Sequence, residues 1–475
     1  MLKFEKFLFF WLFLAIPLIY YHMEKTFWQD VEHIFFIGIG GISMSGLAAY
    51  LIGKGFSVSG SDIAENGRIA RLRASGARIF IGHRSENIGE AQIVVCSSAI
   101  KQNNPERLAA LAKGIPVIGR ADLLSAIASD YKNVVAVAGC HGKTTATAMC
   151  AHAIENCAGG VTAHIGGEDT EYGNMHVGGE RFFVTEACEY MANFLKLRPS
   201  AAVVLNTDAD HLDFYGNAQN LALAYCEFCE KSGASIVCRE DKIAELIRPE
   251  LTFGLSPKSD VCAEDVVGLN GKYAFTLRAY GEMLDKVRLN VYGKHNVYNA
   301  LAAAAVCLHY RFPPYLIAEG LEKFKGIRRR FEQIGRYAGA RFIADYAHHP
   351  SEIAAALQTA HEIARGKLIV VFQPHTYSRT KAFFDAFVNV LSGVENLVIY
   401  KTYPAREYFD EAGCALTLAE HLDSAIYIET VKELVLYLRG TVSAGGTVLV
   451  LGAGDIYYAA KEALARLNGN DQKMR

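Results

Sequence analysis

Val134-Val135-Ala136-Val137-Ala138-Gly139-Cys140-His141-Gly142-Lys143-Thr144-Thr145 is an apolar run that breaks into a glycine loop and a lysine. The apolar part is of the buried-strand type. Behind the loop, Ala146, Met149, Cys150, Ala153 and Ile154 recur at helical spacing. Strand, loop and helix in that order build a parallel α/β sheet, and the loop is a shortened relative of the G-x-x-x-x-G-K-[ST] phosphate pattern. Backbone N–H groups from Gly139 to Thr145 and the helix N-terminus would face an anion. Lys143 would reach the β- and γ-phosphates of ATP, with the Thr144 hydroxyl on Mg²⁺ or Mn²⁺. An incidental glycine turn is the competing reading, and the order of the elements disfavours it.

The same construction appears upstream. Val31–Gly38 reads as a buried strand, followed by Gly38-Ile39-Gly40-Gly41-Ile42-Ser43-Met44-Ser45-Gly46 and a helix carrying Leu47, Ala48, Leu51 and Ile52. This looks like a dinucleotide fingerprint, with Asp62 closing the next strand where a ribose-binding acid would sit and Ser97-Ser98 lining the same cleft. A dehydrogenase is therefore one alternative. The doubled glycine and the separate ATP loop downstream argue instead for a nucleotide-linked second substrate. Downstream, strands near 341–345, 367–372, 395–400 and 447–451 form a third series. The expected fold is α/β, with three consecutive parallel-sheet domains over residues 29–128, 129–325 and 326–475. A hydrophobic N-terminal segment, residues 1–28, precedes them with a short helix.

The totals agree with several globular domains. The chain has 475 residues, 51% of them hydrophobic and 21% charged, too many for one ordinary core. A formal charge of -2 gives no basic excess, so no nucleic-acid partner is expected. The 11 cysteines lack disulfide-framework spacing, which fits a reducing compartment. Cys226 and Cys229 form a C-x-x-C, but no second pair follows, and they read as two small residues on a helix.

Polar residues gather at other strand ends. Glu186 ends a strand, and Asp208, Asp210, His211 and Asp213 follow the next one. Glu186 with Thr144 would suit Mg²⁺, which prefers a few oxygen ligands plus phosphate, and His211 would serve a second cation. Asn296 and Asn299 open an alanine-rich helix, either as N-caps or as readers of a purine edge. In the third series, Asp345-Tyr346-Ala347-His348-His349-Pro350 and Gln373-Pro374-His375-Thr376-Tyr377-Ser378-Arg379-Thr380 end neighbouring strands. They form either a site, with Arg379 as a fork for a carboxylate, or structural turns.

In this order the motifs closely resemble the Mur ligase family. They are G-x-G-G-x-x-M-S-G, G-x-H-G-K-T-T, D-H-x-D-x-Y, G-x-H-N-x-x-N-A, R-R-F-E, D-Y-A-H-H-P and P-H-x-Y-x-R-T, spread from residue 31 to about 465. The resemblance implies ATP-dependent joining of L-alanine to the muramoyl carboxylate of UDP-N-acetylmuramic acid, through an acyl phosphate, in peptidoglycan synthesis. It implies a UDP-substrate site at Gly38, Gly40, Gly41, Ser43, Met44, Ser45, Asp62, Ser97 and Ser98. Lys143, Glu186, His211 and His348 would be catalytic, with Thr144, Glu186 and His211 on metal. ATP would meet Gly139 to Thr145, Asn296, Asn299, Arg330 and Asp345. Tyr346, His348 and Arg379 would border the amino-acid pocket.

Three positions depart from the common pattern. Cys140 replaces a frequent threonine, Glu186-Ala187-Cys188-Glu189-Tyr190-Met191 stands for E-A-D-E-S-D, and Thr376 stands where arginine is often found. A thiol at a helix N-terminus in an anion site should be reactive, so Cys140 is expected to confer sensitivity to thiol reagents. The nearest rival activity is ligation of an intact tripeptide to the same sugar nucleotide. A non-catalytic nucleotide-binding protein is disfavoured because every expected reactive position is filled. Residues 7–21 are an apolar run reaching only ~22 Å as a helix, short of a ~30 Å hydrocarbon core. They are expected to tether a cytoplasmic protein weakly to the inner membrane face, or to precede a true start at Met23.

Overall fold

The computed structural model describes residues 30–208 and 212–469. His211, Asp210 and the apolar segment 7–21 with its expected helix lie outside the described residues. Among the described residues no helix is long and apolar enough to cross a membrane. Contacts divide the chain into two compact units, one of residues 1–260 with 302–317, the other of 261–301 with 318–475.

The first unit holds two sheets. One consists of β1 (His33–Ile37), β2 (Ser57–Asp62), β3 (Arg78–Ile81), β4 (Ile93–Cys96) and β5 (Val117–Gly119), all parallel, in the order β3-β2-β1-β4-β5. Ile34, Phe35, Phe36 and Ile37 are each 0% exposed because helices cover both faces. Full burial of such side chains stabilises by about 1.5–3 kcal/mol apiece. The strand order reverses between β1 and β4, so the glycine loop after β1 opens at the switch point, where open α/β sheets place ligands.

The other sheet contains β6 (Asn133–Ala138), β7 (Thr162–Asp169), β8 (Gly173–Val177), β9 (Phe182–Glu186), β10 (Ala201–Val204), β11 (Ser235–Cys238) and β12 (Leu251–Gly254). Within this unit their order is β12-β11-β10-β6-β9-β7-β8, with β8 antiparallel to β7. The helix Lys143–Ala158 follows β6. It ends at Gly159, whose φ of 68° and N–H bond to the Glu155 carbonyl make a left-handed glycine stop. Cys226 and Cys229 lie on the helix Ala218–Glu230, with Cys229 buried in the core.

The second unit begins with a feature the sequence reading did not anticipate. Strands β13 (Val261–Leu269), β14 (Lys272–Ala279) and β15 (Glu282–Tyr292) form an antiparallel meander. Its two tight turns are Asn270-Gly271, with φ of 51° and 75°, and Tyr280-Gly281, with φ of 52° and 87°. Two successive positive φ angles match the right-handed twist of the flanking strands, and the Asn-Gly pair was the readable signal. The last sheet is β16-β17-β21-β18-β19-β20. It is built from β16 (Glu332–Tyr337), β17 (Ala340–Asp345), β18 (Leu368–Phe372), β19 (Leu397–Tyr400), β20 (Ala425–Ile428) and β21 (Thr447–Leu451). All pairs are parallel except β16 with β17. The α/β architecture with parallel sheets is the one expected. The antiparallel β8, β16 and meander are additions to it.

Candidate active site

Gly139 makes the turn out of β6 at a φ of 141°. A Cβ there would lie 3.0 Å from the Leu205 side chain and 3.2 Å from the Asn206 backbone, so the loop presses against the end of β10. Asn206 locks the contact. Its Oδ1 accepts from the His141 N–H at 2.8 Å, and its Nδ2 donates to the His141 carbonyl at 2.9 Å. Gly142 caps the helix at a φ of 84°, which brings Lys143 and Thr144 into its first turn.

The Lys143 ammonium donates to the carbonyls of Gly139 and Cys140 and lies 3.0 Å from Glu189 Oε2. Burial works against its charge. Glu189 first, then Cys188, Glu186 and Cys140, outweigh that and hold its pKa above the ordinary lysine range. In the sequence Glu189 is one residue of a variant motif, yet it is 1% exposed and is the lysine's counter-charge.

Glu186 ends β9 beside the loop, and its Oε1 accepts from the Gly166 N–H at 2.9 Å. A Cβ at Gly166 would stand 2.4 Å from both carboxylate oxygens, so the glycine is the cradle in which Glu186 rests. Thr144 and Glu186 both offer hard oxygen donors, a set that fits Mg²⁺ or Mn²⁺. Cys140 corrects an expectation. It is 9% exposed and its thiol donates to the Asp208 carbonyl at 2.8 Å, so it is a buried hydrogen-bond donor rather than an accessible thiolate.

At the first sheet, Asp62 Oδ2 accepts from the Gly40 N–H at 2.8 Å, and Ser97 Cβ is 3.3 Å from where a Gly38 Cβ would stand. The structure thus brings Gly38, Gly40, Asp62 and Ser97 together, with Ser98 exposed beside them. Gly41 caps the helix Ile42–Gly53 in extended conformation. The Met44 and Ser45 side chains are spent on packing. Met44 is 2% exposed, while the Ser45 hydroxyl donates to the Ile42 carbonyl and accepts from Asn174.

Ser43 points to a junction that sequence reading missed. Its hydroxyl lies 2.8 Å from His164 Nε2 on β7, and Arg120 donates to it at 3.3 Å. The other His164 nitrogen is 3.1 Å from Thr185 Oγ1, the residue before Glu186. Burial, then Arg120, pushes His164 down to about 3, so the ring is neutral. A lone histidine in an apolar strand carried no signal of this.

In the second unit, Asp345 at the end of β17 accepts from the N–H groups of Phe331 and Ala347 at 2.7 and 2.8 Å. Burial raises its pKa, with Arg330 acting against that. Arg330 lies over the Tyr346 ring at 5.1 Å, and Arg329 over the same ring at 4.8 Å. The His348 and His375 rings are 5.7 Å apart. Both are pushed down to about 4, by burial first and with Arg379 contributing. The motif gives His375 no role of its own, and the structure sets its ring against His348. Two neutral imidazoles beside the Arg379 guanidinium suit a carboxylate-bearing guest. Thr376, next to His375 in the chain, has a positive φ of 67°, held where its side chain accepts from the Arg379 N–H.

Neither asparagine caps the helix His295–His309. Asn296 Nδ2 donates to the Tyr292 carbonyl at 2.6 Å, and Asn299 Nδ2 donates to Asn296 Oδ1 at 2.8 Å. The capping alternative is therefore set aside, because both residues lie within the helix rather than before it.

Three family descriptions match this chain in series. They are "Mur ligase family, catalytic domain" over residues 33–132, "Mur ligase middle domain" over 137–307 and "Mur ligase, glutamate ligase domain" over 329–454. The chain belongs to the Mur ligase family. This Mur ligase is 41% identical to the UDP-N-acetylmuramate–L-alanine ligase of Acetivibrio thermocellus, over 90% of this chain and 94% of that one. It is 40% identical to the protein of that name from Clostridium beijerinckii, over 93% of this chain and 100% of the relative. The crystal structure of UDP-N-acetylmuramate-alanine ligase MurC from Thermotoga maritima matches with a TM-score of 0.81 and 29% identity, covering 92% and 99% of the two chains. A murein peptide ligase from Psychrobacter arcticus shares the fold of this Mur ligase, with a TM-score of 0.71 at 22% identity over 92% and 98%.

Proposed function

We propose that this chain joins L-alanine to the muramoyl carboxylate of UDP-N-acetylmuramic acid with cleavage of ATP to ADP and phosphate, in peptidoglycan precursor synthesis. The observation that carries the reading is the Lys143 loop with Glu186 at the adjacent strand end, in a chain about 40% identical to ligases of that name.

The chemistry has two bond exchanges. A muramoyl carboxylate oxygen attacks the γ-phosphorus and ADP leaves, giving an acyl phosphate. The amine of alanine then attacks the acyl carbon, the C–O bond to phosphate breaks, and an amide remains with loss of the amine proton. Both reactants of the first step are anions, so their approach needs fixed positive charge. Lys143 supplies it together with the loop N–H groups. A divalent cation held by Thr144 and Glu186, with His211 serving a second, would add charge neutralisation at the phosphates.

Gly38, Gly40, Gly41, Asp62, Ser97 and Ser98 are assigned to the UDP substrate. Asn296 and Asn299 are assigned to the adenine edge, Arg330 and Asp345 to the rest of the nucleoside and its phosphates. Tyr346, His348 and Arg379 are assigned to alanine. His348 is kept neutral by burial and its Nδ1 meets the Tyr346 carbonyl, so its Nε2 lone pair is suited to accept a hydrogen bond that orients the attacking amine.

The test is ADP release with UDP-N-acetylmuramic acid against a panel of amino acids and the murein tripeptide. Release coupled to an L-alanyl product upholds the reading. Release with the tripeptide but not alanine assigns the recycling reaction instead.

A further inference from the structure

Glu189 plays no part in the chemistry derived so far, yet it is the most deeply sealed charge near the phosphate loop. Its side chain is 1% exposed. Its backbone carbonyl accepts from the Tyr215 hydroxyl at 2.5 Å and from the Ala192 N–H at 2.9 Å. Immediately after it the chain turns through Met191 and Ala192, at φ of 54° and 53°. Two successive non-glycine residues in the left-handed region persist only where the surrounding structure imposes them. Glu189 is therefore a rigid anchor.

Lys143 is its opposite, a point charge on a flexible four-carbon stem. Its three N–H donors face two kinds of acceptor. The Gly139 and Cys140 carbonyls are neutral and belong to the loop that would wrap a phosphate. Glu189 is charged, fixed, and within reach through both oxygens, at 3.1 and 3.0 Å. Phosphate oxygens would outcompete the neutral carbonyls, because charge-assisted bonds are the stronger. They would not displace the buried carboxylate, whose separation from the ammonium would leave a charge unpaired in the interior.

We propose that Glu189 is a positioning residue for Lys143. It holds one donor of the ammonium throughout the cycle, while the loop-carbonyl contacts are exchanged for phosphate oxygens when ATP binds. Glu189 then differs in kind from Glu186, three residues earlier, which meets the Gly166 N–H and is assigned to the cation.

This inference rests on the ligase reading for its turnover measurement but not for its binding measurement. Full-length wild type, Glu189→Gln, Lys143→Ala and the double variant are compared in ADP release and in calorimetric titration with ATP. An inert wild type counts against the ligase reading alone, because the ATP titrations still decide the role of Glu189. The amide is isosteric, and Glu189→Gln should lower kcat by about 10–100-fold, as loss of a supporting partner typically does. KM for the sugar nucleotide and for alanine should stay within about twofold, since neither touches Glu189. Each single change should weaken ATP, and the double variant should bind it no more weakly than Lys143→Ala alone, because the two residues act as one unit. A merely structural glutamate would give losses that multiply. Multiplying losses, or wild-type turnover and ATP affinity in Glu189→Gln, would overturn the proposal.

Discussion

Ser43 Oγ and His164 Nε2 lie 2.8 Å apart, and this hydrogen bond ties the glycine-loop helix of the first sheet to strand β7 of the second. The imidazole serves two hydroxyls at once because its other nitrogen meets Thr185 Oγ1. Buried at 2% exposure, it holds the junction as a neutral ring.

That neutrality has a pH signature. The folded-state pKa of His164 is about 3, and an unfolded histidine titrates near 6.5. Between those values the unfolded chain takes up a proton that the folded one refuses, so stability falls as pH falls. One such group costs about 1.4 kcal/mol per pH unit inside the window. His348 and His375, both at about 4, act with the same sign. The melting temperature should therefore drop on acidification from about 6.5 to about 4, and less steeply in His164→Gln. Identical slopes in fluorimetric melts of the two proteins would refute the assignment.

Gly166→Ala should damage the cation site without unfolding the sheet. The added methyl would stand 2.4 Å from both Glu186 oxygens, so the carboxylate has to leave its cradle. Displaced metal ligands and their supports typically cost 10–100-fold in metal affinity or activity, and we expect about that rise in the Mg²⁺ needed for half-maximal rate. An unchanged Mg²⁺ dependence would show that Glu186 is not a ligand.

Arg379→Ala should weaken alanine and leave ATP alone. A hydrogen bond to a charged group contributes about 1.5–3 kcal/mol, which corresponds to roughly 10–150-fold in kcat/KM for the amino acid. Steady-state kinetics with alanine varied against saturating ATP and sugar nucleotide makes the measurement. Loss of ATP affinity with alanine kinetics intact would move Arg379 out of the pocket.

Cys140 should resist alkylation in the folded protein. The thiol is 9% exposed and bonded to the Asp208 carbonyl, whereas Cys96 and Cys226 are only half-buried. Peptide mapping after brief iodoacetamide treatment should find Cys96 and Cys226 modified ahead of Cys140, with or without ATP. Early labelling of Cys140 that ATP prevents would restore the reactive-thiol expectation.

Much of the site was legible because its motifs are contiguous. Gly139 to Thr145 announces a phosphate loop through residue type alone, and Glu186 and Asp345 are marked by ending apolar runs. The glycine at 166 and the histidines at 164 and 375 were not legible as site residues. Each acts through something distant in sequence, whether a carboxylate 20 residues on, a serine 121 residues back or, for His375, the ring of His348 on another strand end.

The sequence by itself determined the alternation of strand and helix, the phosphate loop and the family. Those depend on local periodicity, on glycine where the backbone turns, and on short patterns with one chemical use. Only the tertiary structure decided that Lys143 rests on Glu189 rather than standing free, that Cys140 faces inward, and that Ser43 meets His164 instead of solvent. Burial and pairing are set by which strand ends come to lie side by side. β6 lies between β9 and β10, so three segments far apart in the chain converge on one loop.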